Sequence, residues 1–156
     1  MTRWVLLFVA GIWAGAQNAV AGGGFYAGPP PFDVSNGELV STLRDYYRFA
    51  RMLTSGGRVD GRQLISPDSV AQMTSDQVPP ANKTPESFFP GFWDGMSWGF
   101  GVGVRTEGPQ RRRYGWSGGQ GTDFFIDPNG TIGILLTQVE MGAPMFGLLE
   151  EFQALA

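Results

Sequence analysis

Few side chains in this sequence could carry out chemistry, and their types restrict it sharply. There is no His and no Cys among the 156 residues. That excludes Ser-His-Asp and Cys-His nucleophiles, thiolate chemistry, disulfides and any metal held by His or Cys. The nucleophiles that remain are Ser, Thr, Tyr, the carboxylates and a single amine, Lys83. One stretch sets such groups beside glycines: Tyr114-Gly115-Trp116-Ser117-Gly118-Gly119-Gln120-Gly121-Thr122, followed by Asp123 and Asp127. Glycines where one strand gives way to the next let a ligand reach the main chain, because a Cβ would block the approach. Asp123 and Asp127 would share one face of a regular strand. Asp127 is explained by the turn it opens, and nothing else in the chain supports a catalytic carboxylate pair.

The elements that must position this stretch read clearly. Thr42-x-x-Asp45 has capping-box spacing, with Ser41 or Thr42 as the cap. Leu43, Tyr46, Tyr47, Ala50 and Leu53 then recur at helical period until Gly56-Gly57 stops the helix. Arg44, Arg48 and Arg51 fall on a solvated face. A turn with a short extended piece follows over 59–64. Ser66-Pro67-Asp68 opens a second helix, whose apolar stripe is Val70 and Met73. Residues 78–95 form a long Pro-rich loop that groups Phe88, Phe89, Phe92 and Trp93. That loop reads equally as a pocket wall or as simple packing. One strand is expected over 98–105, where large residues alternate with small ones, and three more near 111–117, 121–127 and 131–138. Asp127-Pro128-Asn129-Gly130 is a hairpin turn between the last two. Met145, Leu148, Leu149, Phe152 and Leu155 make a closing amphipathic helix.

Composition agrees with one α+β domain. Apolar residues make up 42% and charged residues 16%, with 24 Gly and 11 Pro, which suits a sheet with many turns better than a helical bundle. The net charge of −3 gives no pull toward nucleic acid. The only basic run, Arg111-Arg112-Arg113, reads as a solvated strand end. Residues 1–21 have the form of a candidate signal peptide: Arg3, the apolar run 5–12, then Ala19-Val20-Ala21 before Gly22. That would send the product to the periplasm or outside. The alternative is a remnant of a longer chain, with a cytoplasmic product. The run is too short, and too interrupted by Gly and Gln17, for a stable membrane span. Residues 22–37 read as a linker and 38–156 as the folded part.

Taken in order, these pieces resemble the C-terminal part of the serine β-lactamase, penicillin-binding protein and family VIII-type esterase superfamily. The likeness runs from about Pro31 to Leu149 and rests on Leu64-Ile65-Ser66-Pro67, Trp98-Gly99-x-Gly101, Tyr114-Gly115-Trp116 and Gly118-Gly119-x-Gly121-Thr122. It implies an antiparallel meander with flanking helices, incomplete in this chain. By the same resemblance, Trp116-Ser117-Gly118 occupies the place of the third active-site motif, Lys-Thr-Gly in β-lactamases and often Trp-x-Gly in esterase-like members. Gly119 would supply one backbone N–H of the oxyanion hole, a donor typically worth about 3–4 kcal/mol. Ser117 would hydrogen-bond a substrate carboxylate or ester oxygen. Trp116 in place of Lys removes a cation and points to neutral small-molecule esters or amides. No cofactor and no metal are implied.

Two family motifs have no counterpart here. The nucleophile motif is Ser-x-x-Lys, and the residue three before the sole lysine is Pro80. The second motif needs Tyr or Ser, one residue, then Asn, and no Tyr or Ser in the chain has Asn at that spacing. Lys83-Thr84-Pro85 imitates Lys-Thr-Gly only in letters. No residue of this chain is therefore expected to be catalytic. The leading expectation is a C-terminal hydrolase fragment that holds the third motif and no nucleophile. The alternatives are an exported non-catalytic binding module, or one half of a split hydrolase completed by an N-terminal polypeptide.

Overall fold

The computed structural model describes residues 41–119, 121–137 and 142–155. The expected signal peptide at 1–21 and linker at 22–37 lie outside these residues. Helix α1 spans Leu43–Thr54. Thr42 caps it as expected: its side chain accepts from the Asp45 N–H and donates to the Asp45 carboxylate. Gly57 ends it, donating its N–H to the Met52 carbonyl at 2.9 Å with φ at 84°. A Cβ at Gly57 would lie 1.9 Å from the Ile65 carbonyl oxygen, so the backbone approach alone demands glycine. The two-residue strands β1 (Arg58–Val59) and β2 (Arg62–Gln63) form a small hairpin. Helix α2 (Pro67–Met73) starts at the Ser66 cap.

A five-stranded antiparallel meander follows, ordered β3 (Met96–Trp98), β4 (Gly103–Arg105), β5 (Tyr114–Gly118), β6 (Thr122–Ile126), β7 (Ile132–Leu135). Helix α3 (Ala143–Ala154) closes the domain. The α+β meander expected from the sequence is what forms. The single strand expected over 98–105 is instead two strands joined at Phe100-Gly101. Gly101 has φ at 87°, and the Gly99 N–H donates to the Val102 carbonyl at 2.8 Å. The glycines that looked like close packing of one strand therefore make a chain reversal. Gly99 also abuts α2, where a Cβ would lie 2.0 Å from the Met73 carbonyl oxygen.

The sheet is buried on both faces at β6 and β7, and the alternation of side chains explains how. Phe124, Ile126, Ile132 and Ile134 join Ala50, Met52 and Leu53 of α1 in one core. Phe125 and Leu135 point the other way, onto Met145, Leu149 and Phe152 of α3. Full burial of one such side chain contributes about 1.5–3 kcal/mol. Gly133 leaves room for the Phe125 ring, which a Cβ would approach to 2.4 Å. Among the described residues no helix is long and apolar enough to cross a membrane.

The basic run departs from its expected role. Arg111 and Arg112 are exposed, but Arg113 is 4% exposed. Its Nε and Nη2 donate to the Asp127 carboxylate at 2.7 and 2.9 Å, and its guanidinium lies 4.0 Å from the centre of the Phe125 ring. Arg113 is thus a core residue, and Asp127 is its counter-ion as well as a turn residue. The cause is tertiary: α3 covers this face and excludes water from the pair.

Candidate functional site

Strands β5 and β6 pair from Tyr114 opposite Ile126 to Gly118 opposite Thr122. This register brings the four expected site residues, Trp116, Ser117, Gly118 and Gly119, to the end of β5 where the chain turns. Their glycines serve different ends. A Cβ at Gly115 would lie 1.9 Å from the Phe124 carbonyl oxygen, and one at Gly118 would lie 2.5 Å from Thr122 Oγ1. Those two are glycine because the fold needs them to be. A Cβ at Gly119 would meet nothing within 4 Å among the described residues, and the residue is exposed. Packing does not account for that glycine, and its backbone is open to approach.

Trp116 is 37% exposed and stands edge-on to Trp98, with ring centres 4.4 Å apart. Gly103 makes room for it, since a Cβ there would lie 3.2 Å from the indole. The long loop then continues the aromatic surface. Phe92, buried, lies 6.0 Å from Trp116 and 4.5 Å from Phe88, while Phe88 and Phe89 are half exposed. The loop therefore packs on the domain and also walls the strand that carries the motif. T-shaped pairs of this kind each contribute about 0.5–1.5 kcal/mol beyond area burial.

The loop is anchored at its start. Asp76 accepts from Lys83 Nζ, from the buried Ser97 hydroxyl and from the Val78 N–H. Desolvation pushes the Asp76 carboxyl up, but these bonds outweigh it and hold it below the usual carboxylate range. Lys83 is committed to this ion pair, and Ser97 is fully buried. Tyr114 is no general base near neutral pH either, because burial pushes its phenol up to about 12.

Ser117 engages the strand opposite. Its hydroxyl donates at 3.0 Å to Asp123, which is 3% exposed and faces it across the strand pair. Asp123 also accepts from Gln153 of α3 at 3.0 Å. Asp123 and Asp127 each have their own partners, so they do not work as a pair. Sequence reasoning missed the Ser117–Asp123 contact, although a hairpin centred on residue 120 would have set the two opposite each other. Among the described residues no cluster of carboxylates could hold a metal ion. A shallow groove lined by Trp93, Asp94, Arg105 and Glu107 includes none of the four motif residues.

A five-stranded antiparallel meander flanked by helices is the α+β architecture of a β-lactamase-like domain. The Beta-lactamase family model matches residues 9–154, and the chain belongs to that family. Two similar proteins come from Mycobacterium tuberculosis. They are Protein Rv1367c of strain ATCC 25618 / H37Rv and Uncharacterized protein MT1414 of strain CDC 1551 / Oshkosh. Each is 34% identical over 116 residues, covering 69% of this chain and 29% of the relative. The chain thus matches less than a third of the length of either.

Proposed function

We propose that this chain carries the substrate-facing strand of an esterase-like serine hydrolase and does not itself supply the nucleophile. One observation carries the reading. The third-motif strand ends in an exposed Gly119 whose missing side chain packing does not require, while Ser-x-x-Lys is absent from the sequence. In such a half-site Gly119 would donate its N–H to the developing oxyanion, and the Trp116–Phe92–Phe88 rings would hold the apolar part of a neutral ester or amide. Lys83, the sole lysine, is neutralised by Asp76, so no free ammonium favours an anionic β-lactam.

The nucleophile would come from an N-terminal polypeptide, as the C-terminal fragment or split-hydrolase reading requires. The short coverage of both relatives supports this. A binding module is the second reading, favoured by the aromatic wall alone. Purified by itself, the chain should hydrolyse neither nitrophenyl butyrate nor a chromogenic cephalosporin above the rate of buffer. Turnover by the chain alone would refute the proposal.

The family match begins at residue 9, inside the apolar run. Residues 1–21 keep the form of a candidate signal peptide, which would send the product to the periplasm or outside; a remnant of a longer chain, with a cytoplasmic product, is the alternative. Sequencing of the mature amino terminus separates them: Gly22 first is expected of an exported product, and an intact Met1 would favour the remnant reading.

A further inference from the structure

The buried carboxylate behind the motif strand has a role that the resemblance does not assign. Asp123 uses both oxygens: Oδ1 accepts from Ser117 Oγ and Oδ2 from Gln153 Nε2, each at 3.0 Å. Gln153 is held from its main chain as well, since its carbonyl accepts from Arg113 Nη1 at 2.8 Å. A continuous polar link therefore runs from the third-motif strand through Asp123 to the last turns of α3.

We propose that Asp123 is a positioning residue for the candidate site, fixing the Ser117 hydroxyl and tying the Trp116–Gly119 strand end to the C-terminal helix. A serine hydroxyl has one hydrogen and two lone pairs. With its hydrogen given to a carboxylate, in a bond about twice as strong as a neutral one, Ser117 meets a ligand as an acceptor only. A substrate N–H or O–H suits that position, and a carboxylate or carbonyl oxygen does not. This consequence for ligands rests on the hydrolase reading; the link between Asp123 and the motif does not.

The groups around Asp123 make its charge state the switch. Burial pushes its carboxyl up, while hydrogen bonds from Gln153, Ser117 and the Phe124 N–H, and the charge of Arg113, pull it back without cancelling the rise. Tyr46 of α1 is the other titratable group that feels it, and Leu135, opposite on β7, brings no charge. Once protonated, Asp123 can donate to Ser117 and release the serine hydrogen.

The test is a pH titration of the full chain followed by two-dimensional amide NMR. The amides of Ser117, Gly118 and Gly119 should shift together, with a midpoint above the usual aspartate value of about 3.9. Asp123→Asn should abolish that shift. Amides that stay still as Asp123 titrates, or that move equally in Asp123→Asn, would overturn the proposal. If Asp123→Asn does not fold, Ser117→Ala provides the decision: losing that donor must raise the Asp123 midpoint read from its carboxyl carbon, and an unchanged midpoint overturns the proposal. Failure of ester binding would leave these titrations untouched, so the two ideas fail separately.

Discussion

Arg113 grips Asp127 with two parallel hydrogen bonds, Nε to Oδ1 at 2.7 Å and Nη2 to Oδ2 at 2.9 Å, and neither side chain is more than a tenth exposed. The third arm of the guanidinium reaches the Gln153 carbonyl of α3. One side chain thus joins the start of β5, the turn after β6 and the end of the C-terminal helix. Without it, the helix that backs the candidate site would keep the Gln153–Asp123 bond but lose its charged anchor.

Removing one partner leaves the other as an unpaired buried charge, which typically costs about 3–5 kcal/mol. Arg113→Leu and Asp127→Leu should each lower stability by that order in urea titrations. The double variant should recover much of the loss, because no lone charge remains. A single variant that loses less than about 1 kcal/mol, the range of an exposed pair, would contradict the burial argument.

The motif glycines should separate cleanly. Gly115→Ala forces a Cβ to 1.9 Å from the Phe124 carbonyl oxygen, so the β5–β6 pair must part and the melting temperature must fall by many degrees. Gly119→Ala meets no atom of the described residues within 4 Å, and its stability should stay within about 0.5 kcal/mol of the parent. Thermal melts of the two variants side by side check this. A large loss at Gly119 would mean that packing, rather than ligand access, explains the glycine.

The loop anchor should be acid-sensitive. The Asp76 carboxyl is held below its ordinary value, so its contribution is present above the unfolded pKa and lost as pH falls through the folded one. Asp123 works with the opposite sign: its carboxyl is raised, so its contribution is present at low pH and lost as pH rises through the folded value. A local probe tells them apart. Emission from Trp93 and Trp98 should move to longer wavelength on acidification, and Lys83→Met should reproduce that shift at neutral pH. Emission in Lys83→Met identical to the parent at neutral pH would remove the ion pair from the account.

Local signals in the sequence were reliable where a side chain acts on its own backbone. The Thr42 and Ser66 caps, the Gly56-Gly57 stop and the turn at 127–130 all form where their residue types demand. The last strand runs over Ile132–Leu135, inside the expected 131–138. What could not be read locally depends on partners far along the chain. Phe100-Gly101 became a reversal because α2 packs against Gly99, and Arg113 became buried because α3 lies over it. The site followed the same rule. The exposed Trp116 and Gly119 stand at the strand end where the glycine pattern set them, whereas the Ser117–Asp123 contact depends on the register that sets the two opposite each other.

In the proposed function this chain carries the third-motif strand and the nucleophile lies elsewhere. Intact-mass spectrometry of the purified chain after incubation with an activated neutral ester, such as nitrophenyl butyrate, tests it most directly. An unmodified mass is expected, since no serine in the sequence has lysine three residues on. A stoichiometric acyl adduct, mapped by peptide digestion to any serine of this chain, would contradict it.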